Sequence, residues 1–244
     1  MLNSFTFNGI NSLDYGLYIT NAGVYDSPDR VVDMYSIPGR NGALAIDQGY
    51  FNNIQLKYSV YSVEDNQTDF AENIRDFRNE LGTEYNYARL TDTYNAGEYR
   101  LALFSKGLEI KAPVDHFGSI EITFECKPQR YLLTGEVEQT FTANGSITNP
   151  TNFDSRPLLV VNGLGDLGIG GKTLTIEGAS SSQVLYIDCD TQEAWTVSGG
   201  VISPANDAVQ NAGAAFPTLP PGQSGISLGG TISQVKITPK WWRL

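Results

Sequence analysis

The chain has 244 residues and a formal net charge of −11, from 27 acidic and 16 basic side chains. This acidic surplus argues against tight nucleic-acid binding, which needs basic groups to displace phosphate counterions. The length suits one large β domain or two smaller ones, and the 13 tyrosines favour sheet. No apolar run reaches the roughly 20 residues of a membrane span. The first ten residues lack a signal-peptide pattern, so folding in the cytoplasm is expected.

Strand patterns dominate the first half of the chain. "FTFNGI" and "YGLYIT" are predicted as strands on either side of a short turn, and "NIQLKYSVYS" alternates apolar and polar residues. Further on, "YNYARLTD" and "YRLALFS" are expected to form a hairpin with its bend at Gly97. "GSIEITFECKP" also alternates, which predicts a half-buried strand that ends at Pro128.

One helix is predicted between these strands, over "TDFAENIRDFRNELG". Its apolar residues recur at helical spacing and are expected to face the core: Phe70, Ile74, Phe77 and Leu81. The opposite face carries four carboxylates: Asp69, Glu72, Asp76 and Glu80. An ordinary solvated helix face is the simplest interpretation of such a set.

The composition changes after "KPQRYLLTG". Residues 135–157 are polar, and six short strands follow with Gly or Pro between them: "LLVVNG", "TLTIEG", "VLYIDCD", "AWTVSGG", "SGISLGG" and "SQVKITP". This pattern predicts an antiparallel β-sandwich. We therefore expect a mainly-β protein of two domains, residues 1–134 with one flanking helix and residues 135–244, with the boundary near residue 134.

The stretch "NGLGDLGIGGKT", residues 162–173, matches the dinucleotide pattern G-x-G-x-x-G, and Asp188 stands where a ribose-binding carboxylate is expected. That fingerprint needs a helix after its glycines, whereas "TLTIEG" is β-branched and has no helical face. The Walker-A pattern fails by one residue, because Asp166 stands five residues before Gly171. The glycines are therefore predicted to form a turn between two strands, and no cofactor is expected.

No other catalytic or metal site is expected. His116 is the one histidine, and its turn-like segment favours a plain loop residue over a catalytic triad. The acids of "DCDTQE" (residues 188–193) raise the question of calcium, but the turn glycine of an EF-hand loop is missing. Cys126 and Cys189 are predicted to be buried free thiols in different domains, and no Cys or His cluster has zinc-ligand spacing.

Three tryptophans leave two interpretations open. Trp195, Trp241 and Trp242 would suit a sugar-stacking platform on a sandwich, although packing in a core or an interface is the commoner use of tryptophan. Close carboxylate pairs of the kind that glycosidases use are also expected by chance among 27 acids, and no pair stands out.

Several motifs resemble the distal tail protein (Dit) family of long-tailed phages. The start is similar to the family's F-x-FNG opening, through Phe5, Phe7, Asn8 and Gly9. The segment "YSIPGRNGALAID" is similar to its PGR-x-G turn, through Pro38, Gly39, Arg40 and Gly42. "SIEITFECKPQRY" resembles the strand that closes the first domain, and "AAFPTLPPGQSGISLGG" with "ITPKWWRL" resembles the end of the second. Gln223 and Ser224 stand where the family often has Asn.

The resemblance implies a structural hub at the tail tip of the virion, assembled in the host cytoplasm, with no catalytic, cofactor or metal site. The first domain, a tail-tube-like β-sandwich, would form a homohexameric ring between the tail-tube protein and the tail-associated fibre or lysin protein. The second, a galectin-like sandwich, would carry receptor-binding or accessory proteins. A carbohydrate-binding lectin-type module is the alternative function, and a tail-tube subunit is a third.

Within such a ring, the subunit interface is expected to include the residues of both motifs: Phe5, Phe7, Asn8, Gly9, Pro38, Gly39, Arg40 and Gly42. Proline and glycine would hold a rigid turn that projects the arginine. The edges of "FTFNGI" and of the Tyr-rich hairpin are the expected joining surfaces.

DNA is expected to pass through the channel of the ring without specific binding, along an acidic wall. The helix face of Asp69, Glu72, Asp76 and Glu80 is one candidate lining. Loops near Glu64 and Asp65, or near Asp92 and Glu98, are the others.

Overall fold

The computed structural model describes residues 2–62, 67–114, 117–178, 184–210 and 215–244. The chain divides into two compact units, residues 1–130 with Leu244 and residues 131–243. The division lies beside the boundary placed at residue 134 from composition. Over the described residues both units are mainly β, and the single α-helix lies in the first. The predicted fold class, mainly β with two domains, is confirmed.

No helix in the described ranges has the length and apolar character needed to cross a membrane.

In its described part, the first unit contains ten strands and helix α1, Gln67–Leu81. The strands are β1 (Phe5–Phe7), β2 (Ile10–Asn11), β3 (Leu17–Ala22), β4 (Arg30–Ser36), β5 (Ala43–Phe51), β6 (Ile54–Ser62), β7 (Ala88–Asp92), β8 (Glu98–Leu103), β9 (Glu109–Val114) and β10 (Phe117–Leu132). One sheet has the order β2-β1-β7-β8-β10-β6-β3, with β9 beside β10, whereas β4 and β5 pair with each other as a separate two-stranded sheet.

The core of the first unit lies between this sheet and α1. The predicted helix face is buried, as are the alternate residues of β6 and β10. Its centre is aromatic: the ring of Phe5 stacks on Tyr58 at 4.8 Å and meets Phe124 edge-on at 5.4 Å. Phe77 of the helix lies 6.1 Å from Phe5, so the N-terminal strand and the helix share one cluster. Periodicity in the sequence located this core correctly.

Two local predictions in this unit are wrong. "FTFNGI" is not one strand, because Asn8 and Gly9 have φ of 48° and 85° and close a two-residue hairpin between β1 and β2. The strand predicted to stop at Pro128 continues to Leu132. Its pairing with β6 ends at Cys126, so the missing N–H of Pro128 costs that ladder nothing.

The second unit is a sandwich of two antiparallel sheets. One has the order β11-β21-β13-β16-β17-β18 and the other β12-β20-β14-β15-β19. The strands are β11 (Gln139–Phe141), β12 (Gly145–Asn149), β13 (Leu158–Asn162), β14 (Gly165–Ile169), β15 (Lys172–Ile176), β16 (Val184–Asp188), β17 (Glu193–Ser198), β18 (Val201–Pro204), β19 (Val209–Gln210), β20 (Gly222–Leu228), β21 (Gln234–Thr238) and the short β22 (Trp242–Arg243). Their inward apolar side chains interdigitate, and Trp241 and Leu219 are buried in the same core.

Cys126 and Cys189 are buried free thiols, as the sequence predicted, one in each unit. Burial raises the pKa of both thiols to about 12. Because the thiolate is the reactive form, we expect neither cysteine to react with a disulfide reagent at pH 8 while the protein is folded. In denaturant the same assay should release two equivalents. Rapid labelling of the native protein would show that one of the two units opens.

Candidate interaction surface

The arm, residues 30–51, comprises β4, a six-residue loop and β5. Its strands pair with each other from Ser36–Ala43 at the tip to Arg30–Phe51 at the base. Nearly all of its side chains are exposed. An isolated two-stranded hairpin is marginally stable in water, because it lacks a third layer to pack against. We therefore infer that the arm is stabilised by packing against another surface.

Both faces of the arm carry exposed apolar side chains, beside one carboxylate each: Asp33, opposite Ile46, and Asp47, opposite Val32. The Tyr35 face carries Tyr35, Leu44 and Ile46, which are 54%, 46% and 44% exposed. The opposite Met34 face carries Val32, Met34 and Ala45, with Met34 65% exposed. Since cross-strand partners point to the same side, Tyr35 lies opposite Leu44, and Met34 lies opposite Ala45. Exposed apolar patches that are contiguous in this way mark interaction sites.

The PGR motif forms the tip of the arm. The N–H of Arg40 donates to the carbonyl of Ile37 at 3.1 Å, with Pro38 and Gly39 between them. Gly39 has a φ of 80°, which is the geometry of a type II turn with proline first and glycine second. Arg40 is exposed and projects from this turn, as its sequence context predicted.

An ion pair holds the base of the arm. Arg30 donates to Asp47 through Nε at 2.9 Å and also through Nη2. Its guanidinium lies 5.6 Å from the centre of the Phe51 ring. These hydrogen bonds, with one from the Gly49 N–H, lower the pKa of Asp47 to about 2. The N–H of Asn52 donates to the backbone carbonyl of Asp29 at 2.9 Å and closes the hairpin.

The FNG residues lie in two different environments. Phe5 and Phe7 are core residues, 1% and 0% exposed, so their side chains are not available to a subunit interface. Asn8 and Gly9 are exposed at the hairpin between β1 and β2. Asn8 donates to Glu84 at 3.0 Å and its N–H donates to the carbonyl of Arg89 at 2.9 Å, so the turn has a fixed position.

The strand edges that the sequence suggested are mostly paired. β1 is paired on both sides, by β2 and β7, and the Tyr-rich hairpin of β7 and β8 lies between β1 and β10. β1, β7 and β8 are thus interior strands, whereas Ile10 of the same stretch begins β2, which is at the edge of the sheet. That these elements join subunits stays a prediction. Along the main path of the sheet, β2 and β3 are the outermost strands.

The acidic helix face is exposed at all four of its positions: Asp69, Glu72, Asp76 and Glu80. Glu80 accepts a hydrogen bond from Tyr15, which raises the pKa of that phenol to about 12. Among the other candidate channel linings, the prediction for Glu98 is wrong, because this side chain is buried, at 6% exposure. Asp92 caps a short 3-10 turn and accepts from the Tyr58 hydroxyl at 3.1 Å. Glu64 and Asp65 lie outside the described residues.

The glycine stretch is a β-hairpin of β14 and β15, which confirms the predicted turn. Gly170 and Gly171 form its two-residue bend, with φ of 58° and 81°. No helix follows, because Lys172–Ile176 is a strand. Asp188 forms an ion pair with Lys240 at 2.9 Å.

The tryptophans do not converge on one platform. Trp195 stacks on Tyr186 at 5.7 Å, Trp241 is buried, and Trp242 stacks on Phe153 at 4.4 Å. A shared sugar-stacking surface is therefore absent from the described residues.

His116 lies outside the described residues. No metal-binding group of His, Cys, Asp and Glu occurs in the described ranges.

Sequence reasoning missed the apolar faces of the arm. A signal was present in "VVDMYSIPGRNGALAI". On either side of its Pro-Gly turn, apolar residues occur at both odd and even positions of the strand, so they point to both faces. That pattern marks a hairpin that is buried on both faces, yet no core of its own unit covers it.

This two-unit fold is shared with solved structures of phage hub and baseplate proteins. Over 100% of both chains it is similar to SPP1 Dit, a hub of the adsorption apparatus in phages that infect Gram-positive bacteria, with a TM-score of 0.77 and 14% identity. It is also similar to chains of the phage P2 baseplate in its activated conformation. The calcium form gives a TM-score of 0.55 and 9% identity over 97% of this chain and 98% of that chain. The strontium form gives 0.54 and 8% over 100% and 99%.

At such low identity the likeness is one of fold. No protein-family model matches the sequence, and no curated protein matches it.

Proposed function

We propose that this protein is the hub subunit of a tail-tip baseplate in a long-tailed phage, and that its arm joins identical subunits into a closed homohexameric ring. The likeness of the whole chain to the SPP1 Dit hub supports the hub role. The proposal of ring assembly is supported by the exposed arm, which presents apolar side chains on two faces.

An arm of this kind favours head-to-tail joining. When one subunit inserts its arm against a different surface of the next, the contact is heterologous, and it repeats until the rotation closes a ring. Among the proposed interface residues, those that are exposed are Asn8, Gly9, Pro38, Gly39, Arg40 and Gly42. Phe5 and Phe7 contribute through the core that fixes the Asn8–Gly9 turn. The number six comes from the family resemblance.

The ring would connect the tail-tube protein on one side to the tail-associated fibre or lysin protein on the other. The second unit would carry receptor-binding or accessory baseplate proteins. The protein would act in the virion, at the tail tip, after assembly in the host cytoplasm. Its role is structural, with no reaction assigned to it.

The mass of the purified full chain in solution tests this proposal. We expect a particle of six times 26.6 kDa, and closed single rings in electron micrographs. A monomer at every concentration would contradict ring formation by this chain alone. Open tubes would favour a tail-tube subunit instead.

We expect the ring not to retain duplex DNA at physiological salt. Residues 1–134 carry 18 acidic and 11 basic side chains, a net of −7 for each subunit. A net acidic wall repels the duplex, whereas a wall of bases would release counterions and hold it. We propose Asp69, Glu72, Asp76 and Glu80 as part of that wall. A mobility-shift experiment checks the outcome, and tight binding, or a channel lined by Lys and Arg, would contradict it.

A further inference from the structure

The arm is joined to its unit at both ends, by Asn52 and Asn53 between β5 and β6, and by a longer segment, the arm root, residues 23–29, which connects β3 to β4. The arm root has no regular secondary structure. Within it, only Val24 and Pro28 are buried. An irregular connection of this kind does not by itself fix the direction in which the arm leaves the unit. The contacts of Val24 therefore help to set that direction, together with the short connection to β6.

Arg130 holds the arm root from inside the unit. It lies on β10, at the end of the segment 1–130 of the first unit, and its side chain is 10% exposed. Its Nη2 donates a hydrogen bond to the carbonyl of Val24. Its Nη1 lies 4.0 Å from Oε2 of Glu98, which is itself buried on β8. One guanidinium therefore connects the arm root to two neighbouring strands of the main sheet.

A second buried arginine lies close by and makes different contacts. Arg100 is 6% exposed and donates to the carbonyls of Pro128 at 3.2 Å and Lys127 at 3.5 Å, both on β10. Burial and the like charge of Arg130 lower the pKa of Arg100. Both arginines line one cavity of about 20 Å³. Placing two guanidinium groups together in a core is unfavourable unless hydrogen bonds and an opposite charge compensate, as the backbone carbonyls and Glu98 do here.

We propose that Arg130 is a positioning residue that latches the arm root to β10, so that the arm leaves the subunit in one direction. Its contribution to assembly rests on the proposed function, because it acts through the arm. The latch itself is a property of the single chain. Arg100 serves as the matched control, since it has the same chemistry, similar burial and no hydrogen bond to the arm root.

Amide hydrogen exchange on the full chain tests the latch. In Arg130→Met, we expect exchange of the two hydrogen-bonded amides of the arm root, those of Gly23 and Asp26, to rise by about ten-fold or more. This is the factor implied by loss of a hydrogen bond to a charged group. In Arg100→Met, exchange there should stay near the wild-type rate. The strands of the second unit provide the internal reference in both variants. An equal rise in the two variants, or no rise in Arg130→Met, would overturn the proposal.

A second variant covers the case in which Arg130→Met fails to fold, which loss of protection in β6 and β10 would show. Glu98→Gln keeps the shape of the side chain but removes the charge that faces Arg130. We expect it to raise exchange at the amides of Gly23 and Asp26 as well, and an unchanged rate there would overturn the latch. Particle mass is measured separately, so a chain that forms no ring leaves the exchange result interpretable.

Discussion

Replacing Leu44 and Ile46 by aspartate is expected to leave the chain monomeric with both units folded. In the isolated subunit both side chains are exposed, Leu44 at 46% and Ile46 at 44%. Exposed substitutions of this kind change the free energy of unfolding by about 0.5 kcal/mol or less. In the ring the same positions would be buried, and two unpaired carboxylates in an apolar contact would be strongly unfavourable. Light scattering measures the mass, and thermal unfolding measures the stability.

The matched control for the arm lies in the second unit. Val201 and Ile202 on β18 are 65% and 68% exposed, so they are at least as accessible as the arm residues. Replacing both by aspartate adds the same charge at another exposed strand, and we expect the ring to persist. If both double variants kept the ring, the arm would not be the joining element. If both lost it, the added charge rather than the position would be responsible.

Alternation and helical spacing predicted the elements that pack against their own core. The residues of β6 and β10 alternate because one face is buried and the other faces solvent, and the helix places its four apolar residues on one side for the same reason. These are local consequences of burial. The hairpin at Asn8–Gly9 was not predicted, although Asn-Gly is the preferred pair for this turn and gave a local signal for it.

The arm and the arginine pair depend on contacts that are distant in sequence or outside the chain. Apolar residues on two faces of a hairpin predict burial but do not identify the partner. Glu98, Arg100 and Arg130 are ordinary charged residues in the sequence, and only the pairing of β8 with β10 brings them together. The sequence placed Glu98 in a loop, because the glycine before it indicated a bend. That bend is a 3-10 turn over Thr93–Asn95, and Glu98 begins the next strand.

The glycine stretch has a structural reason for its composition. An added Cβ at Gly163 would lie 2.3 Å from the carbonyl oxygen of Thr231, and one at Gly165 would lie 2.6 Å from that of Gly229. Both have positive φ, 112° and 130°. The loop at residues 229–231 thus passes directly against the backbone at the start of β14 and just before it. Gly171 also has a positive φ, 81°, but a Cβ there has no atom within 4 Å.

Alanine at Gly163 or Gly165 is therefore expected to destabilise the second unit far more than alanine at Gly171. Backbone strain contributes about 1–3 kcal/mol at each position. Overlap with backbone adds about 1–3 kcal/mol at the first two, because a main chain cannot move aside as a side-chain tip can. Urea unfolding followed by tryptophan fluorescence measures this, since all three tryptophans lie in the second unit. Equal losses at Gly171 would mean that φ alone, rather than the close approach of residues 229–231, requires glycine in this stretch.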